Sequence, residues 1–454
     1  MRVFFAILVA RLIKLVCKIV HRGGTAKPGE IAMKICPNIL RILSKNTKCV
    51  IITGTNGKTT STRMVEEGFA KAGLNYFSNR SGANLTAGIV TDFISNSTIG
   101  GKCLKEYAVL ECDEAASKKV CLMTQPIIIF VTNLFRDQVD RFGGVVNTRN
   151  EIRIGIMNAP NALLVLNGDC PVCVSLSEEV PNRSVFFGIG ASAAAECGDP
   201  GTSDLTECID CGAEYEYGYR TFSHLGGYLC PSCGKHRPAV DYEVKEITTQ
   251  DLSHSDVVLA YPGGETEMSI NLPAVYNIYN AAGSFAALLE AGISREDALS
   301  ALGSFQCGFG RMEYFNMGKK GARMILVKND AGCNQVLRFL RKVDEDFVLS
   351  IYLNNNISDG VDISWLDSTD FELLNDCRVS FIYVSGMRAD EMYARLLRAG
   401  IPEEKMKIER SCSELIRQLG ESEDTVFIMP TYTGMMETRS EIIRRYGGNE
   451  FWET

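Results

Sequence analysis

The segment Ile51-Ile52-Thr53-Gly54-Thr55-Asn56-Gly57-Lys58-Thr59-Thr60 constrains this chain more than any other. A buried-strand pattern, Cys49 to Ile52, enters a turn with two glycines, and a helical pattern from Thr59 to Ala72 leaves it. Strand, glycine turn and helix in that order make a phosphate-binding loop. The glycines let backbone N–H groups curl round an anion, and the helix N-terminus favours negative charge. Lys58 neutralises phosphate oxygens, and the Thr59 hydroxyl can ligate Mg²⁺. The standard pattern would place its first glycine at Ile52, so the loop is a variant of it. A strand–turn–helix without a ligand does not account for Gly-Lys-Thr-Thr in this setting. ATP is the expected ligand, held by Thr55, Asn56, Gly57, Lys58, Thr59 and Thr60.

Further short apolar runs follow at Tyr107–Leu110, Ile127–Val131 and Ala162–Leu166, with helical stretches between them. Buried strands separated by helices imply a parallel sheet covered on both faces. Asn277 to Ala291 is a strong alanine-rich helix. After Gly310 a second α/β pattern begins, with strands expected at Met324–Val327, Phe347–Leu353, Val379–Val384 and Thr425–Met429, and a helix at Asp390–Ala399. A length of 454 residues exceeds what one core usually serves. Three parts are expected: an N-terminal helical segment (1–46), an ATP-binding domain (47–312) and a smaller C-terminal α/β domain (313–454).

Composition removes other classes. A net charge of −8 argues against a general nucleic-acid binder. Seventeen cysteines in so long a chain fit a reducing cytoplasm with thiols free for metal, not a small disulfide scaffold. Cys208-Ile-Asp-Cys211 and Cys230-Pro-Ser-Cys233 form two pairs, each followed by glycine, inside a Gly-, Tyr- and Ser-rich stretch of about 200–240. Four sulfurs so spaced satisfy tetrahedral Zn²⁺, so an inserted structural zinc ribbon is expected. His224 and His236 are expected beside that site or at the surface, not as ligands. Cys170-Pro-Val-Cys173 reads as a coincidental pair, and His21 and His254 as surface or structural residues.

At the N-terminus the apolar run Val3–Ala10 is followed by Arg11, Lys14 and Lys18. Those cations spoil a transmembrane span of roughly 20 residues, and a signal peptide would carry its charge first. The segment is expected to be a helix packed on its own protein. The alternative is a basic amphipathic helix lying at the inner face of the cell membrane.

The loop resembles the ATP loop of the Mur ligases, which join amino acids to peptidoglycan precursors through acyl phosphates. Further matches follow in order. Glu111 resembles the family's Mg²⁺-binding glutamate. The run Asn133-Leu-Phe-Arg-Asp137-Gln138-Val-Asp140 resembles a motif that has histidine where Gln138 stands. Asn167-Gly168-Asp169 resembles an Asn-Ala-Asp turn, Tyr276-Asn277-Ile-Tyr-Asn280 the helix that meets adenine, and Phe309-Gly310-Arg311-Met312-Glu313 the segment between domains. The C-terminal segments Val327–Gln335 (with Asp330 and Cys333 at unexpected positions), Ser358–Leu366, Ser385–Ala389 and Pro430–Glu437 look like the MurT branch of the family.

The resemblance implies an α/β Mur-ligase-like fold carrying the zinc ribbon. It also implies ATP-dependent amidation, with ammonia, of the D-glutamate α-carboxylate in the lipid II stem peptide. Lys58 and Glu111 would serve phosphoryl transfer, Thr59 and Glu111 would hold Mg²⁺, and Asn133, Asn277 and Arg311 would contact the nucleotide. Asp113, Glu114, Asp137 and Asp140 could equally be surface carboxylates. No nucleophile for glutamine hydrolysis is apparent: Cys112 follows a strand without a histidine motif near it. Ammonia is therefore expected from a GatD-like glutaminase partner, whose Cys–His pair an aspartate of this chain would complete. Asp362 is the candidate and Asp359 the second. The bland alternative is that Asp362 caps a turn before Ser364 and Trp365. Two other classes compete, a partner-independent Mur-type amino-acid ligase and a non-catalytic scaffold.

Overall fold

Every residue of strand β1 (Lys48–Thr53) beyond Lys48 is buried. A strand with no polar face must be covered on both sides, and full burial of each Val or Ile contributes about 1.5–3 kcal/mol. The computed structural model describes residues 1–19, 25–79, 83–135, 144–198, 200–201, 203, 205–251, 253–306 and 310–447. The described residues up to Phe305 form one compact unit and those from Gln306 a second.

The first unit is built on a nine-stranded sheet. Its strands are β1, β2 (Tyr76–Ser78), β3 (Tyr107–Glu111), β4 (Ile128–Val131), β5 (Leu163–Asn167), β6 (Ser184–Ile189), β9 (Tyr242–Gln250), β10 (Ser255–Tyr261) and β11 (Gly264–Ile270). They lie in the order β11-β10-β9-β6-β5-β4-β1-β3-β2. Seven pair in parallel, and β10 and β11 add an antiparallel edge. Strand β1 has β3 on one side and β4 on the other, so the chain reverses its winding direction there. In open α/β sheets ligands bind at that switch, beyond the C-terminal ends of the strands. Helix α4 (Lys58–Lys71) leaves β1 and packs on the Val275–Glu290 helix. Gly68 permits the approach, since a Cβ there would come within 2.3 Å of Leu288.

Three N-terminal helices, α1 (Arg2–Ile19), α2 (Lys27–Ile35) and α3 (Ile39–Ser44), pack within this unit. Helix α1 buries Ala6, Ile7 and Ala10 and lies on α2 and α5 (Thr86–Ser95). Among the described residues no helix is long and apolar enough to cross a membrane. On α5, burial lifts the Asp92 carboxyl to about 7. One of its oxygens has no hydrogen-bond partner among the described residues. Unfolding returns such a carboxyl to about 4. Between about pH 4 and 7 the folded chain therefore holds the extra proton, and stability falls as pH rises through that window. Asp92→Asn should flatten stability between about pH 4 and 7 and add about 4 kcal/mol at the upper end. Urea unfolding at the two pH values checks this, and an unchanged slope would assign the titration to another group.

The second unit holds a six-stranded sheet made of β12 (Arg311–Phe315), β13 (Ala322–Ile325), β14 (Phe347–Tyr352), β15 (Val379–Ser385), β16 (Met406–Ile408) and β17 (Thr425–Pro430). The order is β12-β13-β17-β14-β15-β16, with only β12 antiparallel to its neighbour. Met324, Val348, Leu415, Ile416, Val426 and Ile428 build its core on one face. Met312 sits at φ +61° where β12 bulges between Arg311 and Glu313. The buried Glu313 carboxylate holds that bend: it accepts from the Gly310 N–H (2.8 Å) and pairs with Arg439 (3.0 Å).

All eight strands expected from apolar runs are present. Strands β2, β6, β12 and β16, the 216–229 hairpin and the β9–β11 meander were not anticipated. In β9 only alternate or scattered positions are buried, because one face of this edge is open to water.

Candidate functional site

The loop after β1 is held from below by the segment after β4. Thr55 N–H donates to Asn133 O (2.8 Å), and Asn56 N–H to Asn133 Oδ1 (3.0 Å). In return Asn133 Nδ2 donates to Asn56 O (3.0 Å), as does the Thr132 hydroxyl (2.7 Å). The Thr55 hydroxyl accepts from Phe135 N–H (3.1 Å) and donates to Phe135 O (3.3 Å). Gly54 (φ +126°) makes this possible, since a Cβ there would lie 2.4 Å from Thr132 Oγ1 and 2.8 Å from Asn133 O. Asn133 thus spends both amide atoms on the backbone of Asn56. What its side chain does here is fix the shape of the loop.

Gly57, at φ +82°, opens α4 without a capping side chain, and the first turn carries no acidic residue. The N-terminal N–H groups and the helix dipole therefore face the loop with nothing negative on their own turn. Thr60 is buried in that turn. Lys58 Nζ turns back to donate to Gly54 O and Thr55 O (3.2 Å) and pairs with Glu114 at 2.6 Å, both side chains being largely buried. The Thr59 hydroxyl donates to Glu111 Oε2 at 2.6 Å, and Asn84 Nδ2 donates to Glu111 Oε1 at 3.2 Å. Glu111 ends β3, and its backbone is clamped by Asn79, which accepts from its N–H (2.9 Å) and donates to its carbonyl (2.7 Å). A hydroxyl and a carboxylate at hydrogen-bond distance are hard oxygen donors, the set that suits Mg²⁺.

The Val275–Glu290 helix closes the far side. Asn277 Nδ2 donates to Pro273 O (2.7 Å), and Asn277 Oδ1 accepts from Asn280 Nδ2 (3.2 Å). Asn280 Oδ1 accepts from the Ser61 hydroxyl (3.4 Å) and lies where a Cβ on Gly57 would be, at 2.2 Å. Asn277 orients, and Asn280 touches the loop. The structure thus brings Thr55, Asn56, Gly57, Lys58, Thr59, Thr60, Glu111, Asn133 and Asn277 to one place, and adds Glu114, Asn79, Asn84 and Asn280. Glu114 was legible only as one of two adjacent carboxylates. Asp113 N-caps the helix Glu114–Thr124 through Ala115 N–H (3.0 Å), which leaves Glu114 as the inward one. Asp137, Gln138, Asp140, Phe309 and His21 lie outside the described residues.

Arg311 belongs to the second unit, as do both candidate aspartates. Asp359 is buried, with its oxygens accepting from Thr433 N–H (2.6 Å), the Thr433 hydroxyl (2.6 Å) and Asn356 N–H (2.9 Å). Asp362 is part-exposed and, among the described residues, accepts only from Ser364, through its N–H (2.8 Å) and hydroxyl (2.9 Å), in a turn before the short Trp365–Ser368 helix. Around this loop Ile357, Val361 and Met387 are 81%, 62% and 61% exposed, an apolar rim of the kind that marks interaction sites.

The four cysteines converge. Cys208, Cys211, Cys230 and Cys233 place their sulfurs within 4.8 Å of one another, with close pairs at 3.4 and 3.7 Å. A tetrahedral zinc site with bonds of about 2.3 Å has sulfur–sulfur edges of about 3.8 Å. The two knuckles repeat one fold: Cys208 N–H donates to Ala213 O and Gly212 N–H to Cys208 O, while Cys230 N–H donates to Lys235 O and Gly234 N–H to Cys230 O. Tyr215 and Tyr228 pack behind them, on and beside the hairpin β7 (Glu216–Phe222) and β8 (Leu225–Leu229). His236 is exposed. His224 is not: it is 1% exposed, with Nε2 3.5 Å from Cys170 Sγ and its ring against Phe135. The expectation of a surface position for it is corrected, because the hairpin folds that histidine inward onto the sheet.

One carboxylate ties the insertion to the sheet. Asp169, fully buried after β5, accepts from Arg237 Nε (2.6 Å), the Tyr279 hydroxyl (2.5 Å) and Ile189 N–H (2.8 Å). Burial pushes its pKa up, and Arg237 and Tyr279 oppose that.

The family described as Mur ligase middle domain matches residues 52–206, and that described as MurT ligase C-terminal matches residues 326–435. The subunit MurT of lipid II isoglutaminyl synthase (glutamine-hydrolyzing) from Streptococcus pneumoniae is 33% identical over 425 residues, 93% of each chain. Its counterpart from Staphylococcus aureus is 30% identical over 451 residues, 99% of this chain and 100% of that one. Among solved structures, a pseudomurein peptide ligase type C from Methanothermus fervidus matches with a TM-score of 0.64 at 19% identity, over 88% of this chain and 79% of that one. MurF from Acinetobacter baumannii matches with a TM-score of 0.65 at 16% identity, over 91% and 80%. These likenesses bear out the α/β fold expected from the loop and its neighbours.

Proposed function

Because this chain belongs to the MurT family of lipid II isoglutaminyl synthase subunits, we propose that it is the ATP-consuming half of an amidotransferase. It is a ligase that forms a carbon–nitrogen bond. The α-carboxylate of D-glutamate in the lipid II stem peptide takes the γ-phosphoryl group of ATP, and ADP leaves. Ammonia then attacks the acyl carbon, phosphate departs with the bonding electrons, and D-isoglutamine remains. The observation that carries this reading is the convergence of Lys58, Thr59 and Glu111 on the opening turn of α4.

Phosphoryl transfer needs alignment and charge neutralisation more than covalent help. Lys58 supplies a cation beside the loop, and the backbone stitched to Asn133 keeps the N–H groups aimed. Thr59 and Glu111 would hold Mg²⁺, which when bound supplies charge neutralisation on the phosphates. Cys112, the cysteine nearest these groups in sequence, is fully buried, and burial drives its thiol well above the ordinary range. A thiol kept protonated does not release ammonia from glutamine. A GatD-like glutaminase is therefore the proposed source, with Asp362 presented to it from the apolar rim of Ile357 and Val361. The reading places the chain in the cytoplasm. The test is phosphate release with lipid II and ATP, given ammonium alone or glutamine plus the glutaminase. Activity with a free amino acid in place of ammonia would favour the partner-independent ligase.

The four-cysteine cluster supports one structural Zn²⁺, with its folding linked to metal binding. Purified protein should carry about one zinc per chain by elemental analysis. Cys230→Ser should lower stability and soluble yield more than it lowers the turnover of the protein that stays folded. Metal-free protein with an unchanged melting curve would remove zinc from the account.

A further inference from the structure

Helix α1 has two faces, and among the described residues only one is packed. Ala6, Ile7 and Ala10 are completely buried against α2 and α5. On the opposite side Phe4, Phe5, Leu8, Leu12, Leu15 and Val16 are between 43% and 60% exposed. At about 100° per residue these six fall within an arc of about 120°, centred opposite the buried three. Single exposed apolar side chains are ordinary, but a continuous apolar stripe along an 18-residue helix is not.

The helix is clamped in this attitude. Arg11 donates to the carbonyls of Ile94 and Ser97 at the C-terminal end of α5, and Lys14 Nζ donates to Ser95 Oγ (2.7 Å). The charge around it is equally one-sided. Residues 1–48 hold ten Lys and Arg against one acid, Glu30, a net of +9, whereas the whole chain carries −8 and the remainder therefore −17. A second copy of the chain meeting this face would bring +9 against +9. An anionic surface is the partner that suits both the apolar stripe and its charge.

We propose that α1 is an interfacial anchor: its Phe4–Val16 face enters the headgroup region of an anionic lipid bilayer, with the basic N-terminal segment held over the lipid phosphates. Such helices lie in the membrane plane and bind through buried apolar area plus attraction to anionic lipid. The anchor is peripheral and reversible. It stands on the exposure and charge of this segment and not on the reaction proposed above.

Sedimentation with vesicles tests it, using the full chain and vesicles free of lipid II, so that failure of the proposed reaction cannot masquerade as failure of the anchor. The wild-type chain should co-sediment with phosphatidylcholine vesicles containing about a third phosphatidylglycerol, weakly with phosphatidylcholine alone, and less as salt rises. Leu8→Glu with Leu12→Glu should weaken binding at least about tenfold, since each charge must leave the interface or drag water in. Leu12→Ser with Leu15→Ser is the milder pair, for use if the first lowers the melting temperature. ATP-dependent amidation of detergent-dispersed substrate should be the same in both variants as in the wild type. Undiminished binding by either folded variant, or no wild-type binding to the anionic vesicles, overturns the proposal. So does a wild-type dimer that the substitutions dissolve, because a second copy would then be the occupant.

Discussion

Alanine at position 58 should lower ATP-dependent amidation by about a thousandfold or more, the size of effect seen when a charge that meets transferring phosphoryl oxygens is removed. The chain should stay folded, but not untouched. Lys58 is the ion partner of Glu114, and both are largely buried, so the single variant leaves a carboxylate without its cation and should lose about 3 kcal/mol. Adding Glu114→Gln removes that orphaned charge. The double variant should recover most of the stability and none of the turnover. Measuring both quantities separates the chemistry of Lys58 from its structural contact. Retained amidation in either variant would mean that the phosphates are held by another group.

Asp362→Asn should split the reaction in two. Glutamine-dependent amidation should fall by about 10³–10⁴-fold, the loss that follows when a histidine is deprived of the carboxylate that sets its tautomer. Amidation driven by added ammonium should persist, and the two chains should still associate. The geometry supports Asp362 over Asp359 for this role. Asp359 is buried and engaged by Thr433 and Asn356, so Asp359→Asn should act on stability first. Among the described residues Asp362 bonds only to Ser364, two residues on, and it stays part-exposed. An equal fall in the ammonium-driven rate would move Asp362 from the interface to the ligase chemistry or to folding.

How much of this could be read from the chain beforehand varied with the kind of interaction. The ATP loop was legible because its chemistry is local: two glycines, a lysine and a threonine within a few residues of a strand end. The parallel strands were legible for a similar reason, since burial on both faces leaves a continuous apolar run. What escaped reading depends on partners distant in sequence. Asn79 and Asn84 matter through Glu111, and Glu114 through Lys58, which nothing in their own neighbourhoods announces. His224 sits on a hairpin whose polar composition suggested solvent, yet the hairpin turns it onto Phe135 and Cys170. The β9–β11 meander has the two-faced pattern of an exposed edge, which apolar runs alone do not detect. At the first helix the sequence offered packing or a membrane surface as alternatives, and the structure shows how packing can use one face and leave the other bare.

The Asp169 junction has a consequence for synthesis in the cell. Its three partners lie 20, 68 and 110 residues further along the chain. A ribosome delivers them in that order, at roughly 5–20 residues per second. Strand β5 can emerge and begin to pair while the acid that follows it still has only Ile189 within reach. Arg237 arrives seconds later with the cysteine insertion, and Tyr279 later again with the helix that covers the sheet. Until then the nascent chain carries an acid that cannot be taken out of water without its cation. Sealing of the Asp169 junction is thus timed by the emergence of residue 279, and a chain truncated before it would present an uncovered sheet face to chaperones and proteases.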